Sequence, residues 1–187
     1  MTARVLKQIR QEHRSMDRVL RSLLDSVKAL SADTPDPREI ELIHSTLYYI
    51  RIFPDRLHHP KEEDYLFRAV RKRAPESGEL IDGLEQEHER GVTLLDGIYR
   101  ALIAFERNGN DAYAALARGV SEYVEFERQH MRREEEELLP MAEKCLTRDD
   151  WYLIDDAFAR SIDPLIQESM SIGFKTLYER IVGKSDR

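Results

Sequence analysis

His58–Phe67 reads HHPKEEDYLF. Two imidazoles and two adjacent carboxylates fall close together, and the run then turns apolar. On a helix, His58 and Glu62 are four residues apart and project from one face, about 40° apart around the axis. A neutral imidazole beside a carboxylate suits a borderline first-row metal such as iron, manganese or zinc. In a chain with 36 acidic residues an isolated HxxxE arises easily by chance. This chain carries it twice.

The second copy is HMRREEEELLP, His130 to Pro140. Set on the first copy, Asp55-Arg56 matches Glu127-Arg128, His58 matches His130, Glu62-Glu63 matches Glu134-Glu135, and Leu66 matches Leu138. Upstream, Gln11-Glu12-His13 after Ile9 is echoed by Gln86-Glu87-His88 after Leu84. The chain thus reads as two copies of one unit, a helix with a single histidine followed by a helix with HxxxE. Repeats of this size take precedence over any element-by-element reading. Two helical hairpins make a four-helix bundle, whose core is where metal sites are built from facing helices. The repeat also sets the register. His59 pairs with Glu63 at the same spacing, but its counterpart is Met131. His58 is therefore the ligand, and His59 is read as lying behind the ligands or on the surface.

Hydrophobic residues make up 41% of the 187 and charged residues 35%, the balance of a helical domain with solvated outer faces. A net charge of -7 argues against nonspecific binding to nucleic acid or an anionic membrane. No apolar run reaches the roughly 18 residues of a membrane span. The N-terminal MTARVLKQIRQEH lacks a signal-peptide core. The single cysteine, Cys145, makes no internal disulfide, so the cytoplasm is the expected compartment.

Along the chain, the apolar spacing of Val5, Ile9, Met16, Leu20, Leu23, Val27 and Leu30 predicts a helix over 3–31, with His13 inside its stripe. Asp36-Pro37-Arg38-Glu39 predicts an N-cap, a proline in the first turn and a capping-box glutamate. The second helix is expected over 37–73 with kinks at Pro54 and Pro60; the alternative is two helices meeting near residue 54. His44 has no repeat counterpart and is read as a surface or core histidine. Pro75 and Gly78 punctuate a loop before a third helix over 79–107 that carries His88. Asn108-Gly109-Asn110 is a turn, and the fourth helix starts near Asp111. Thr147 to Asp150 looks like another cap. Beyond it come an apolar helix at Trp151, Ile154 and Phe158, a break at Asp163-Pro164, and a last helix with Phe174, Leu177, Tyr178 and Ile181. The expected division is a bundle over 1–146 and a C-terminal helical extension over 147–187, packed on the bundle or on a partner subunit in a homodimer. Residues 183–187 are expected to fray.

Six groups converge if the four helices bundle: His13, His58, Glu62, His88, His130 and Glu134. They are too many for one tetrahedral zinc. They suit two metals bridged by two carboxylates, with two imidazoles each. Unpaired carboxylates in a bundle core are costly, so their inward placement itself asks for cations. Iron is the expected metal and manganese the alternative. Asp55 and Glu127, one turn before the histidines, are candidates to orient imidazole N–H groups, or else surface charge. A ferritin-like dinuclear bundle would use ExxH, which Glu127 and His130 satisfy, but it needs glutamates where this chain has His13 and His88.

The whole set resembles the hemerythrin-like, or HHE cation-binding, family. The resemblance is carried by QEH at 11–13 and 86–88, FPDRLHHPKEEDYLF at 53–67 and HMRREEEELLP at 130–140, and covers about residues 3 to 146. It implies an all-α, antiparallel up-down four-helix bundle around a non-haem di-iron centre with an oxo or hydroxo bridge. By the same resemblance, His13 and His58 would hold one iron, His88 and His130 the other, and Glu62 and Glu134 would bridge them. The chain departs from the oxygen carriers of the family at one point. They have a fifth histidine one turn after the one that His88 matches; here that position is Val92, and Leu84 stands one turn before. Both irons would then have room for a further ligand, which argues against simple reversible oxygen carriage. Tyr48 or Tyr65 is another way to fill a position.

The first functional reading is a cytoplasmic di-iron protein that binds, senses or reduces oxygen, nitric oxide or peroxide with an unspecified redox partner. The second is iron handling, such as iron donation to iron–sulfur repair. The third is a signalling or interaction module in which metal completes the fold. A metal-free scaffold requires all six inward groups to be coincidence.

Overall fold

A computed structural model describes residues 4–31, 36–159 and 176–183, and among these no β-strand occurs. Four long helical runs carry the architecture. We label them α1 (Arg4–Ala29), α2 (37–73), α3 (Gly78–Asn108) and α4 (110–145). Two shorter helices follow, α5 (Arg148–Ala159) and α6 (176–182).

The N-cap and the first-turn proline of α2 are as the sequence predicts. The Asp36 carboxylate accepts from the Arg38 N–H at 2.9 Å, and Pro37 stands where a missing N–H costs nothing. Neither internal proline ends the helix. The run widens instead into π-helix at Phe53–His58 and again at Glu62–Phe67, where the His59 N–H reaches back to the Pro54 carbonyl in the first segment. The wider turn relieves crowding between a proline ring and the carbonyl one turn back. The alternative of two helices meeting near residue 54 is not what forms. A third π segment, Glu134–Leu138, lies in α4 just before Pro140. All three segments sit at the HxxxE strings.

Between α3 and α4 a single residue, Gly109, turns the chain at φ 59° and ψ −138°, a conformation that a β-carbon disfavours. Before α5, Thr147 and Asp150 cap reciprocally: the Thr147 N–H donates to the Asp150 carboxylate at 2.9 Å, and the Asp150 N–H to the Thr147 hydroxyl at 3.3 Å.

The apolar stripes meet in two separate cores. One gathers Met16 to Val27 of α1 with Leu30 just beyond it, Leu42 to Ile50 of α2, Leu95 to Phe105 of α3 and Leu116 to Val124 of α4. The other gathers Val5 to Ile9, Leu66 to Val70, Ile81 with Leu84, and Leu138 to Ala142. On every helix the predicted ligand falls between its contributions to the two cores: His13 after Ile9, His58 and Glu62 before Leu66, His88 after Leu84, His130 and Glu134 before Leu138. Each fully buried Leu or Ile stabilises by roughly 2 kcal/mol, so the two apolar layers can carry a polar layer clamped between them.

The C-terminal part closes both ends. Ile154 and Phe158 of α5 join the second core, and Ile181 and Val182 of α6 join the first, where the Ser22 hydroxyl donates to the Ile181 carbonyl at 2.8 Å. The break expected at Asp163-Pro164, the position of Phe174, and residues 184–187 lie outside the described residues, as does most of the first loop. Among the described residues no helix is long and apolar enough to cross a membrane.

Candidate metal centre

All six predicted ligands are in the polar layer and buried; the most exposed of them, His58, shows 6% of its surface. Their ring and carboxylate atoms converge. His13 Nε2 lies 3.2 Å from Glu134 Oε2, and His58 Nε2 lies 3.3 Å from Glu62 Oε2. His130 Nε2 and His88 Nε2 lie 3.5 and 3.8 Å from Glu134 Oε1, and His88 Nε2 is also 4.0 Å from Glu62 Oε2. The Nε2 atoms face each other in pairs, His13 with His58 at 3.3 Å and His88 with His130 at 3.1 Å.

The outer nitrogens explain this orientation. Each Nδ1 meets a carboxylate from a different helix: His13 with Glu135 at 2.9 Å, His58 with Glu12 at 2.6 Å, His88 with Glu63 at 2.6 Å, and His130 with Glu87 at 2.9 Å. A neutral imidazole that donates Nδ1–H to a carboxylate turns its Nε2 lone pair inward, ready to ligate. The exchange follows the repeat, twice within a unit and twice between the units. The glutamate of each QEH holds the histidine of the following HxxxE. The second glutamate of each HxxxEE holds the lone histidine of the other repeat unit, Glu63 that of α3 and Glu135 that of α1. Sequence reasoning offered Asp55 and Glu127 for this work, with surface charge as their alternative. The structure gives it to Glu12, Glu63, Glu87 and Glu135, all of them already inside the repeated strings.

Without a cation this layer is electrostatically poor. Both oxygens of Glu62 and of Glu134 are buried without a hydrogen-bond partner. Burial, then Glu134 and Glu12, push the Glu62 carboxyl well above the usual carboxylate range. Burial acts the same way on Glu134, but His130, His13 and His88 outweigh it and hold that carboxyl low. Burial opposes the charge on His13 and His88, yet their glutamate neighbours raise both to about 9. His58 is pushed down by burial, which Glu12 counters only in part. Orphaned carboxylate oxygens facing convergent imidazole nitrogens are the donor set that divalent cations satisfy. Two groups of donors each lie within 4.8 Å of one another: His13, His58, Glu62 and Glu134, and His59, His88 and His130.

Sequence reasoning left His59 between a place behind the ligands and the surface. It is not on the surface; of the two readings, only a place against the ligands is left. Its ring is 7% exposed and stacks on that of His88, with centroids 3.8 Å apart and planes at 7°. The other candidates for an added ligand are turned away. Tyr48 and Tyr65 are 55% and 45% exposed, and the half-exposed His44 meets Glu106 at 3.2 Å. Asp55 and Glu127 form an acidic pair one turn off the ligand layer. Burial and then Glu127 raise Asp55 to about 7, and burial raises Glu127 as well.

The fold and this layer define a cation-binding helical protein with an imidazole–carboxylate donor set. The chain belongs to the hemerythrin HHE cation-binding domain family, whose family model matches residues 4–142. Three uncharacterized proteins, one from Mycobacterium bovis and two from strains of Mycobacterium tuberculosis, are each 25% identical to it over 130 residues, 70% of this chain and 50% of the relative. The chain thus spans about half the length of these curated relatives.

Proposed function

We propose that His13, His58, His88 and His130 hold two metal ions bridged by Glu62 and Glu134, that the ions are iron, and that the centre binds or reduces a small oxidant. Oxygen, nitric oxide and peroxide are the candidate ligands. The observation that carries this reading is the set of four buried, unpartnered carboxylate oxygens facing four inward Nε2 atoms. Bound iron would supply redox chemistry and open coordination positions. The chain's own residues bind it, orient the imidazoles through Nδ1 and exclude bulk water. The alternation of the two cores along successive helices supports an antiparallel up-down bundle over 1–146 as the frame.

Among the family's roles, enclosure favours a retained cofactor over a labile cargo, because none of the six ligands reaches solvent appreciably. The test is metal analysis of protein purified without chelator, with optical titration by oxygen, peroxide and nitric oxide. Two irons per chain with charge-transfer bands that respond to one of these ligands is the expected result. One zinc, or no metal and no optical response after reconstitution with iron, would overturn the proposal.

A further inference from the structure

Gln8 and Gly83 occupy equivalent places in the repeat, each four residues before the glutamate of its QEH string. On α1 the Gln8 amide reaches one turn along the helix and donates to Glu12 Oε1 at 2.9 Å, while Glu12 Oε2 meets His58 Nδ1 at 2.6 Å. On α3 the equivalent residue has no side chain, and the task is done from α4. Arg133 lies against Gly83, where a β-carbon would stand 3.0 Å from both Nη1 and Nη2, and its Nη1 donates to Glu87 Oε1 at 2.6 Å. Glu87 Oε2 meets His130 Nδ1 at 2.9 Å. The outer oxygen of each such glutamate is therefore hydrogen-bonded by a neutral amide in one unit and by a guanidinium in the other. Lys61, the counterpart of Arg133, has its ammonium over the Phe158 ring at 5.8 Å and acts on Glu12 through space.

Resting on the reading of His130 as a metal ligand, we infer that Arg133, seated on Gly83, is a positioning residue: it fixes Glu87 and draws off part of its charge, which weakens His130 as a donor to a bound cation. The distances run the way this requires. Beside the amide, Glu12 keeps its short contact for the imidazole; beside the guanidinium, Glu87 gives its short contact to the arginine and the longer one to the imidazole. A hydrogen bond between two charged groups is the stronger kind, and a carboxylate that gives more to one donor has less for the other. The His130 ring then keeps its Nδ1 proton closer, and less electron density reaches Nε2. The guanidinium is also held from its far side, where Nε lies 3.8 Å from Glu137 Oε1. Its flat fork suits the bare backbone at Gly83, and a side chain at that position would take part of the space it fills.

The test is proton NMR of the protein loaded with zinc as a diamagnetic probe and isotope-labelled in histidine. It is read at the His130 Nδ1–H signal, identified by its loss in Glu87→Ala. A stronger hydrogen bond moves such a proton downfield. Arg133→Gln keeps an amide beside Glu87 and removes the charge, so the signal should move downfield and the affinity for zinc should rise severalfold. Arg133→Lys keeps the charge and should hold both close to wild type. Gly83→Ala crowds the guanidinium without altering Arg133, Glu87 or any ligand, and should move the signal the same way by a smaller amount. A signal unmoved by Arg133→Gln, or an affinity that falls, overturns the inference and leaves His130 standing as a ligand. A wild type that binds neither zinc nor cobalt(II) overturns the metal reading and this inference with it.

Discussion

The four carboxylates behind the histidines differ in ways that predict unequal effects when each loses its charge. Glu12 holds His58 at 2.6 Å with a side chain only 20% exposed, whereas Glu135 holds His13 at 2.9 Å and is 37% exposed. A hydrogen bond to a charged group stabilises by about 1.5–3 kcal/mol, and water in contact with the pair reduces that. Glutamine keeps an acceptor for the Nδ1–H and removes the charge, so Glu12→Gln should forfeit about half, roughly 1 kcal/mol, or about fivefold in metal affinity. Glu135→Gln, shorter of burial and longer in contact, should cost severalfold less. The assay is competition between each variant and a chromophoric chelator for cobalt(II), with circular dichroism confirming the fold. The affinity should fall further for Glu12→Gln than for Glu135→Gln, with wild type tightest. Equal affinities in all three proteins would refute the claim that these carboxylates set the donor strength of the imidazoles. A larger loss in Glu135→Gln would refute the ranking by burial.

Two further changes probe the acidic pair below the centre. Asp55 titrates at about 7 in the folded chain against 3.8 ordinarily, so folding binds its proton more tightly. The sign follows: below pH 4 both states are protonated and nothing is lost, and stability then declines as pH rises towards 7 and the buried carboxylate must ionise. At ~1.4 kcal/mol per tenfold the decline amounts to roughly 4 kcal/mol at most. Asp55→Asn should therefore match the wild type in urea denaturation near pH 4 and exceed it by about 2–4 kcal/mol above pH 7; a constant difference across that range would contradict the burial argument. Gly91 faces the other member of the pair, and a β-carbon there would stand 2.9 Å from Glu127 Oε1. Helix propensity alone predicts that Gly91→Ala stabilises α3 by ~1 kcal/mol, but the clash with an enclosed carboxylate should reverse the sign to a loss of about 1–3 kcal/mol. Thermal melts that rise for Gly91→Ala would show that Glu127 has room to move.

The bundle and its six inward groups were legible because the repeat states them twice, and each statement removes a coincidence from the other. His58 over His59 was decided on that ground, and His58 is indeed the partner of Glu62 at 3.3 Å. The carboxylates behind the histidines were harder to place. Glu12 and Glu63 stand beside a ligand in sequence, yet each serves a histidine on another helix, and helical periodicity says nothing about which side chain reaches across a bundle. Asp55 and Glu127 were attractive by spacing for the same reason that misled: a residue one turn before a ligand shares its face, but the Nδ1 of an inward-pointing ring looks sideways to the neighbouring helix. His59 was discarded because it is not repeated. A two-fold repeat builds two equivalent halves, and any difference between them has to come from residues that break the repeat. Inside the layer His59, with Met131 as its counterpart, is such a residue: its ring is buried there and stacks on that of His88.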